Sequence, residues 1–360
     1  MLKPLLWKAG VLDVLDQLQL PHRAVFESCK NFKETGEAIR AMKVRGAPAI
    51  GVAAGYGMAQ AALKSKAKDP ERLVKDLEAA GAYLKSRRPT AVNLAWAVDR
   101  VLAKAHGWPE ASVETLRDVV VVEAVAIEQE DVRLCDAIAE AGAALFKDGD
   151  NILTHCNTGA LATAGVGTAL GCITRAFAQG KGLHVWVDET RPYLQGARLT
   201  AFELKAAKIS HTLITDNTAA ALMAQGKVDR VIVGSDRVTS QGDVANKIGT
   251  YALAVLARHH KIPFYVATPG STVDFTLRDG KDIPIEERSS DEVLFVQGKA
   301  IAPKGTKALH LGFDVTPHEL ISGIITEKGV ARPPFAVSLK KMLGGKSAVK
   351  KSKKGGAAKG

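Results

Sequence analysis

Between residues 150 and 270, short apolar runs alternate with longer stretches of helical spacing, and no other feature of the chain constrains its fold as much. The runs are 152–155, 184–187, 212–214, 231–234 and 264–267; the helical stretches lie at 160–179, 197–208, 218–225 and 247–259. A repeated strand–helix order implies a parallel sheet with helices on both faces, since a parallel neighbour is reached only through a long crossover. Before this region the periodicity is helical, at 34–42, 48–63, 70–84 and 93–106. A longer pattern from 113 to 146, with a break near 131, is expected to join the two parts. The expected fold class is α/β: a mainly helical N-terminal domain over 1–125, then a parallel-sheet α/β domain over 126–338.

Residues 339–360 are expected to form a disordered Lys-rich tail. Eight lysines and no acid between 340 and 360 carry all but three of the eleven net positive charges. A Lys/Gly/Ala/Ser segment cannot bury a core. It reads first as a solvated tail, with weak, salt-sensitive attraction to nucleic acid or anionic surfaces as the alternative. Without interleaved aromatics it offers no base-stacking platform.

Apolar runs such as 119–122 fall far short of the roughly 20 residues a membrane helix needs. Asp13 and Asp16 interrupt the apolar N-terminal stretch, unlike a signal peptide. The four cysteines (Cys29, Cys135, Cys156, Cys172) show no CxxC spacing. Neither a disulfide framework nor a zinc site is expected, and a reducing, cytoplasmic setting fits. The nine histidines lack HxH, HxxxH and HExxH spacing, so no catalytic metal is expected. No organic cofactor is expected either: Gly165 and Gly167 fall inside a helical stretch, not in a dinucleotide fingerprint.

Ligands of a parallel sheet bind at the carboxyl ends of its strands. There the sequence places Cys156 and Asn157, Glu189 and Arg191, Asp216 and Asn217, Asp236 and Arg237, Thr268 and Ser271. A helix beginning at 160 would lower the pKa of Cys156 through its terminal field; a small buried hydrophobe is the competing reading. Asp236 follows Val-Ile-Val, and apolar surroundings would keep its carboxyl protonated; an ordinary turn aspartate is the alternative. Arg45-Gly46-Ala47-Pro48 sets a guanidinium before a helix start, a combination suited to phosphate. Arg87-Arg88-Pro89 resembles a second such entry.

Eight segments in order resemble one family: VRGAPAIG (44–51), RPTAVNLAWA (88–97), ILTHCNTGALAT (152–163), ETRPYLQGARLTA (189–201), TDNTAA (215–220), VIVGSDRV (231–238), GDVANKIGTYALAV (242–255) and FDVTPHELISGIITEKGV (313–330). The family comprises methylthioribose-1-phosphate isomerases and the alpha, beta and delta subunits of eukaryotic translation initiation factor 2B. The resemblance implies a Rossmann-like C-terminal domain and a homodimer. It also implies aldose–ketose interconversion of 5-methylthioribose 1-phosphate and 5-methylthioribulose 1-phosphate, a step of methionine salvage. By motif, the family's catalytic cysteine falls on Cys156 and its proton donor on Asp236. Its substrate contacts fall on Arg45, Gly46, Ala47, Arg88, Gln195, Asn246 and Lys247. The chain departs from the pattern at His310-Leu311-Gly312, where the family usually has Asn-Pro, and at Gln241 in place of Asn. Ribose 1,5-bisphosphate isomerisation and a non-catalytic sugar-phosphate or nucleotide sensor are the rival readings.

Overall fold

The structure, a computed structural model, describes residues 2–344 apart from Thr90 and Glu286. It opens with an antiparallel meander of β1 (Leu5–Lys8), β2 (Val11–Leu15) and β3 (Phe26–Cys29). These strands precede the first helical stretch expected at 34 and are not themselves read from the sequence; over so few residues alternation is hard to distinguish from a helical turn. Five helices follow: α1 (Phe32–Arg40), α2 (Ala47–Lys64), α3 (Pro70–Arg87), α4 (Val92–His106) and α5 (Val113–Ala143). Every residue of α2 from Ala49 to Ala62 is buried. It is apolar almost all round, which puts it at the centre of a bundle. Its many Ala and Gly residues let α1, α3, α4 and α5 approach closely.

Helix α5 runs unbroken through 131, contrary to expectation. Its first half enters the N-terminal core through Leu116, Val120, Ala124 and Ile127. Its second half enters another core through Ile138 and Ala143. The boundary expected between 125 and 126 therefore lies inside one rigid helix.

Next come β4 (Asn151–Thr154), α6 (Ala169–Ala178), β5 (His184–Asp188), α7 (Ala201–Ala206), β6 (Ser210–Ile214), α8 (Thr218–Ala224) and β7 (Arg230–Val233). A ribbon of β8 (Arg237–Thr239) and β9 (Val244–Lys247) precedes α9 (Thr250–His259), β10 (Phe264–Ala267) and β11 (Val273–Asp274). The chain closes through α10 (Asp291–Leu294), β12 (Phe295–Val296), β13 (Lys299–Ala300), β14 (Phe313–Thr316), β15 (Gly323–Thr326), β16 (Gly329–Ala331) and α11 (Phe335–Leu343).

The central sheet has the order β16-β15-β10-β7-β4-β5-β6, parallel throughout except for the β16 edge. Taken in order of appearance, its parallel strands run 3-2-1-4-5-6, the doubly wound arrangement. Alternate side chains serve opposite faces. Leu153, Val231, Val233, Phe264, Val266 and Ile324 meet α8, α9 and α11. Ile152, Ile232, Tyr265, Ala267 and Ile325 meet α5 and α6. Burial on both faces explains why these strands read as continuous apolar runs. Strands β11, β8, β9 and β14 form a second, smaller sheet.

Helix α11 passes the expected start of the tail at 339, because Leu339 is wholly buried in the core beside α9. The Lys-rich segment 345–360 lies outside the described residues. No helix among the described residues is long and apolar enough to cross a membrane.

Candidate active site

The strand order reverses between β4 and β7, which pair with Thr154 opposite Ile232. Chains leaving the carboxyl ends of two such strands turn to opposite faces and leave a crevice. Cys156 follows β4 and Asp236 follows β7, and both line one cleft of about 870 Å³ including its mouth. Arg45, Gly46, Ala47 and Arg88 reach the same cleft from the N-terminal helices. Gln195, Asn246 and Lys247 reach it from the sheet side.

Cys156 has φ +64°, a left-handed conformation that a non-glycine residue keeps only when its surroundings enforce it. Its N–H donates to Thr190 Oγ1 at 2.9 Å, and its carbonyl accepts from Thr200 Oγ1 at 2.6 Å. The helix field expected to favour the thiolate is missing. Only a single 3₁₀ turn occurs at Ala160–Ala162, and α6 starts at Ala169. Gly167, at φ +96°, keeps the intervening chain out of a helix. Burial pushes the Cys156 thiol up, while the Arg45 and Lys247 cations pull it back. The net direction is upward, opposite to expectation.

Asp236 also departs from expectation: its side chain is exposed at the rim of the cleft. The apolar Val231–Val233 segment lies within the sheet, and Gly234 and Ser235 carry the chain past its edge. The strand therefore shields its own interior and not the carboxyl. Backbone pairing still holds the position, since Asp236 N–H donates to the Ala245 carbonyl at 2.9 Å.

The cations are better enclosed. Arg45 is 6% exposed. Its Nε donates to Gln17 Oε1 at 3.2 Å, and its terminal nitrogens reach both the carbonyl and Oδ1 of Asn157. Gly46 caps α2 at φ +87°, and Gly46, Ala47 and Pro48 at the start of that helix line the cleft, a favourable place for an anion. Arg88 ends α3. Lys247 is buried, which pushes its pKa down. Its Nζ donates to the Gly312 carbonyl at 2.7 Å and lies 4.5 Å from the Phe313 ring centroid. Asn246 Nδ2 donates to Thr250 Oγ1 at 3.0 Å. Gln195 Oε1 is buried without a hydrogen-bond partner among the described residues, an acceptor suited to a ligand hydroxyl.

Not every strand end contributes. Asp216 accepts the backbone N–H groups of Thr190 and Arg191 at 2.7 Å each, which shapes the loop after β5. Arg191 turns to the Val293 carbonyl and Arg237 to Asp274. Glu189, Asn217, Thr268 and Ser271 also lie off the cleft lining. Sequence reasoning overlooked Met42, Tyr193, Arg288, Glu292 and Phe313, which also line the wall. Arg288 and Glu292 pair at 2.5 Å. Their segment has no periodicity to draw attention, though Arg-x-x-x-Glu is itself a pairing signal. Among the described residues, two acid–histidine clusters have metal-like spacing, His155/Asp188/Asp216 and Asp243/His318/Glu319. In the first, both imidazole nitrogens are engaged, by Asp188 at 2.9 Å and the Ile248 carbonyl at 2.8 Å.

Residues 43–333 match the model of the initiation factor 2 subunit family. A methylthioribose-1-phosphate isomerase of Chloroflexus aurantiacus is 53% identical over 96% of this chain and 99% of its own. A 5-deoxyribose 1-phosphate isomerase of Moorella thermoacetica is 50% identical over 96% and 98%. Among solved structures, 5-methylthioribose 1-phosphate isomerase from Pyrococcus horikoshii superposes with a TM-score of 0.90 at 46% identity, over 96% of each chain.

Proposed function

The chain belongs to the initiation factor 2 subunit family, and we propose that it is the isomerase of that family that interconverts 5-methylthioribose 1-phosphate and 5-methylthioribulose 1-phosphate in methionine salvage. The observation that carries this reading is the convergence of Cys156 and Asp236 from neighbouring strands on one cleft with buried Arg45 and Lys247. A binding-only sensor has no need of a thiol held at φ +64° beside a carboxyl group.

The substrate's C1 carries phosphate, so its ring cannot open to a free aldehyde unaided. Asp236 gives a proton to the ring oxygen as the C1–O bond breaks. Cys156 takes the C2 proton as its thiolate, a form that burial disfavours and that the Arg45 and Lys247 cations work to recover, and the electron pair forms a C1–C2 enol. The enol hydroxyl returns a proton to Asp236 while the thiol protonates C1. Both side chains end as they began, and C2 is now the ketone. In the alternative hydride route the C2 hydrogen moves directly to C1 and Cys156 only shapes the site. The exposed Asp236 has to be covered for the acid role, and the bound sugar itself provides that cover. Arg45, Arg88 and the N-terminus of α2 bind the phosphate.

Ribose 1,5-bisphosphate would need a second cationic cluster. Arg288, the further cation of the lining, is paired to Glu292, so an apolar C5 substituent beside Met42 and Phe313 fits better. The deoxyribose substrate of the Moorella relative also satisfies this requirement. A turnover assay on all three sugar phosphates decides. The same reading takes the chain as a helical N-terminal domain on a Rossmann-like domain, acting as a cytoplasmic homodimer. Light scattering tests the dimer. Salt-dependent retention on an anionic resin tests whether the segment 345–360 binds anions.

A further inference from the structure

A buried carboxylate that contributes no atom to the cleft controls how the cleft presents its arginine. Glu203 on α7 is 7% exposed. Its Oε1 accepts from Asn157 Nδ2 at 2.7 Å and its Oε2 from the Ala160 N–H at 2.7 Å. Asn157 is 3% exposed, and its Oδ1 and carbonyl both accept from Arg45. The amide is thus clamped between a group that only accepts and a group that only donates. Its NH₂ must face Glu203 and its oxygen must face Arg45; the reverse orientation sets donor against donor and acceptor against acceptor. Thr200 tightens the same knot, accepting from Asn157 Nδ2 at 3.2 Å and donating to the Cys156 carbonyl. Gly159 keeps the approach open, since a Cβ there would lie 2.3 Å from a Glu203 carboxylate oxygen.

We infer that Glu203 is a positioning residue: through the Asn157 amide it orients the Arg45 guanidinium toward the substrate phosphate. The inference rests on the isomerase reading for the identity of that phosphate. Glu203→Gln breaks one side of this clamp, because the new NH₂ has to face either the Ala160 N–H or the Asn157 NH₂, both of them donors. In the second arrangement the side chain at 203 no longer holds the Asn157 oxygen toward Arg45, and the Asn157–Arg45 contact loosens.

The test is a double-mutant cycle read by calorimetric binding of inorganic phosphate, which requires no turnover. The proteins are wild type, E203Q, R45M and E203Q/R45M. E203Q is expected to weaken phosphate binding about tenfold, the scale of one charge-assisted hydrogen bond. The double variant is expected to bind no more weakly than R45M alone. Wild-type affinity in E203Q, or full additivity in the double variant, overturns the proposal, because a merely structural role adds independently. If E203Q does not fold, N157A replaces it, with the same expected coupling to R45M and the same refuting outcomes. Wild-type turnover is scored separately: its absence would refute the isomerase reading while the phosphate cycle still judges the relay.

Discussion

Replacing Gly46 with alanine strikes the anion-binding corner of the cleft through geometry alone. Gly46 sits at φ +87° and ψ 133°, a region that costs a side-chain-bearing residue about 1–3 kcal/mol. An added Cβ would lie 2.6 Å from the Ala162 carbonyl oxygen and 2.7 Å from its Cα and Cβ. Backbone cannot swing aside as a flexible side chain does, and overpacking of this kind costs a further ~1–3 kcal/mol. Gly46→Ala is therefore expected to lose about 2–6 kcal/mol in urea unfolding. Any relief obtained by moving α2 also moves Arg45 and raises KM for the sugar phosphate. Gly149 is the control, with φ +82° and nothing within 4 Å of where a Cβ would stand. Gly149→Ala should show only the backbone part, about 1–3 kcal/mol, with KM unchanged. Wild-type stability and KM in Gly46→Ala would refute the steric argument.

Lys247→Met removes one of the cations that oppose burial at Cys156. The pH dependence of iodoacetamide alkylation should move to higher pH; no movement would remove Lys247 from the thiol's surroundings. Arg88→Ala should weaken substrate binding by about 1.5–3 kcal/mol, measured by KM at unchanged fold. Asp131, buried under the Ala164 N–H at 2.6 Å, has its pKa pushed by burial from 3.8 to about 6. An acid raised on folding contributes stability that is present below pH 3.8 and lost as pH rises through 6. Asp131→Asn should flatten the urea-stability profile between those values, by on the order of 2–3 kcal/mol; an unaltered slope would contradict it.

Where burial is two-sided, the chain announces its structure. β10 is legible to the residue, and β4, β5 and β7 to within one at either end, because each carries a continuous or near-continuous apolar run. Strand β9 is not read at all, and the helix expected from 247 starts on its last residue. Its Val244–Lys247 residues are all buried, yet two of them, Asn246 and Lys247, are polar and serve the cleft. A rule that sends polar residues to the surface fails at such a position, and local rules are expected to fail where function intervenes. The late start of α6 has a similar cause. Residues 160–168 have helical composition, but Gly167 and the contacts of Glu203 hold them in a loop around Cys156. Cys156 and Asp236 are legible as strand-end residues with a family motif around them. Their electrostatics are not, since the upward push on the thiol comes from neighbours distant in sequence and the exposure of the carboxyl from where the sheet edge falls.

The most direct test of the whole account compares turnover of 5-methylthioribose 1-phosphate by wild type, Cys156→Ser and Asp236→Asn. If the two side chains move the protons, each single change lowers kcat by roughly 10²–10⁴-fold, the range of general acid–base catalysis, while the folded variants still bind the sugar phosphate. Near-wild-type kcat in Asp236→Asn would contradict the acid role, and the same result in Cys156→Ser would leave the thiol without a part in the chemistry.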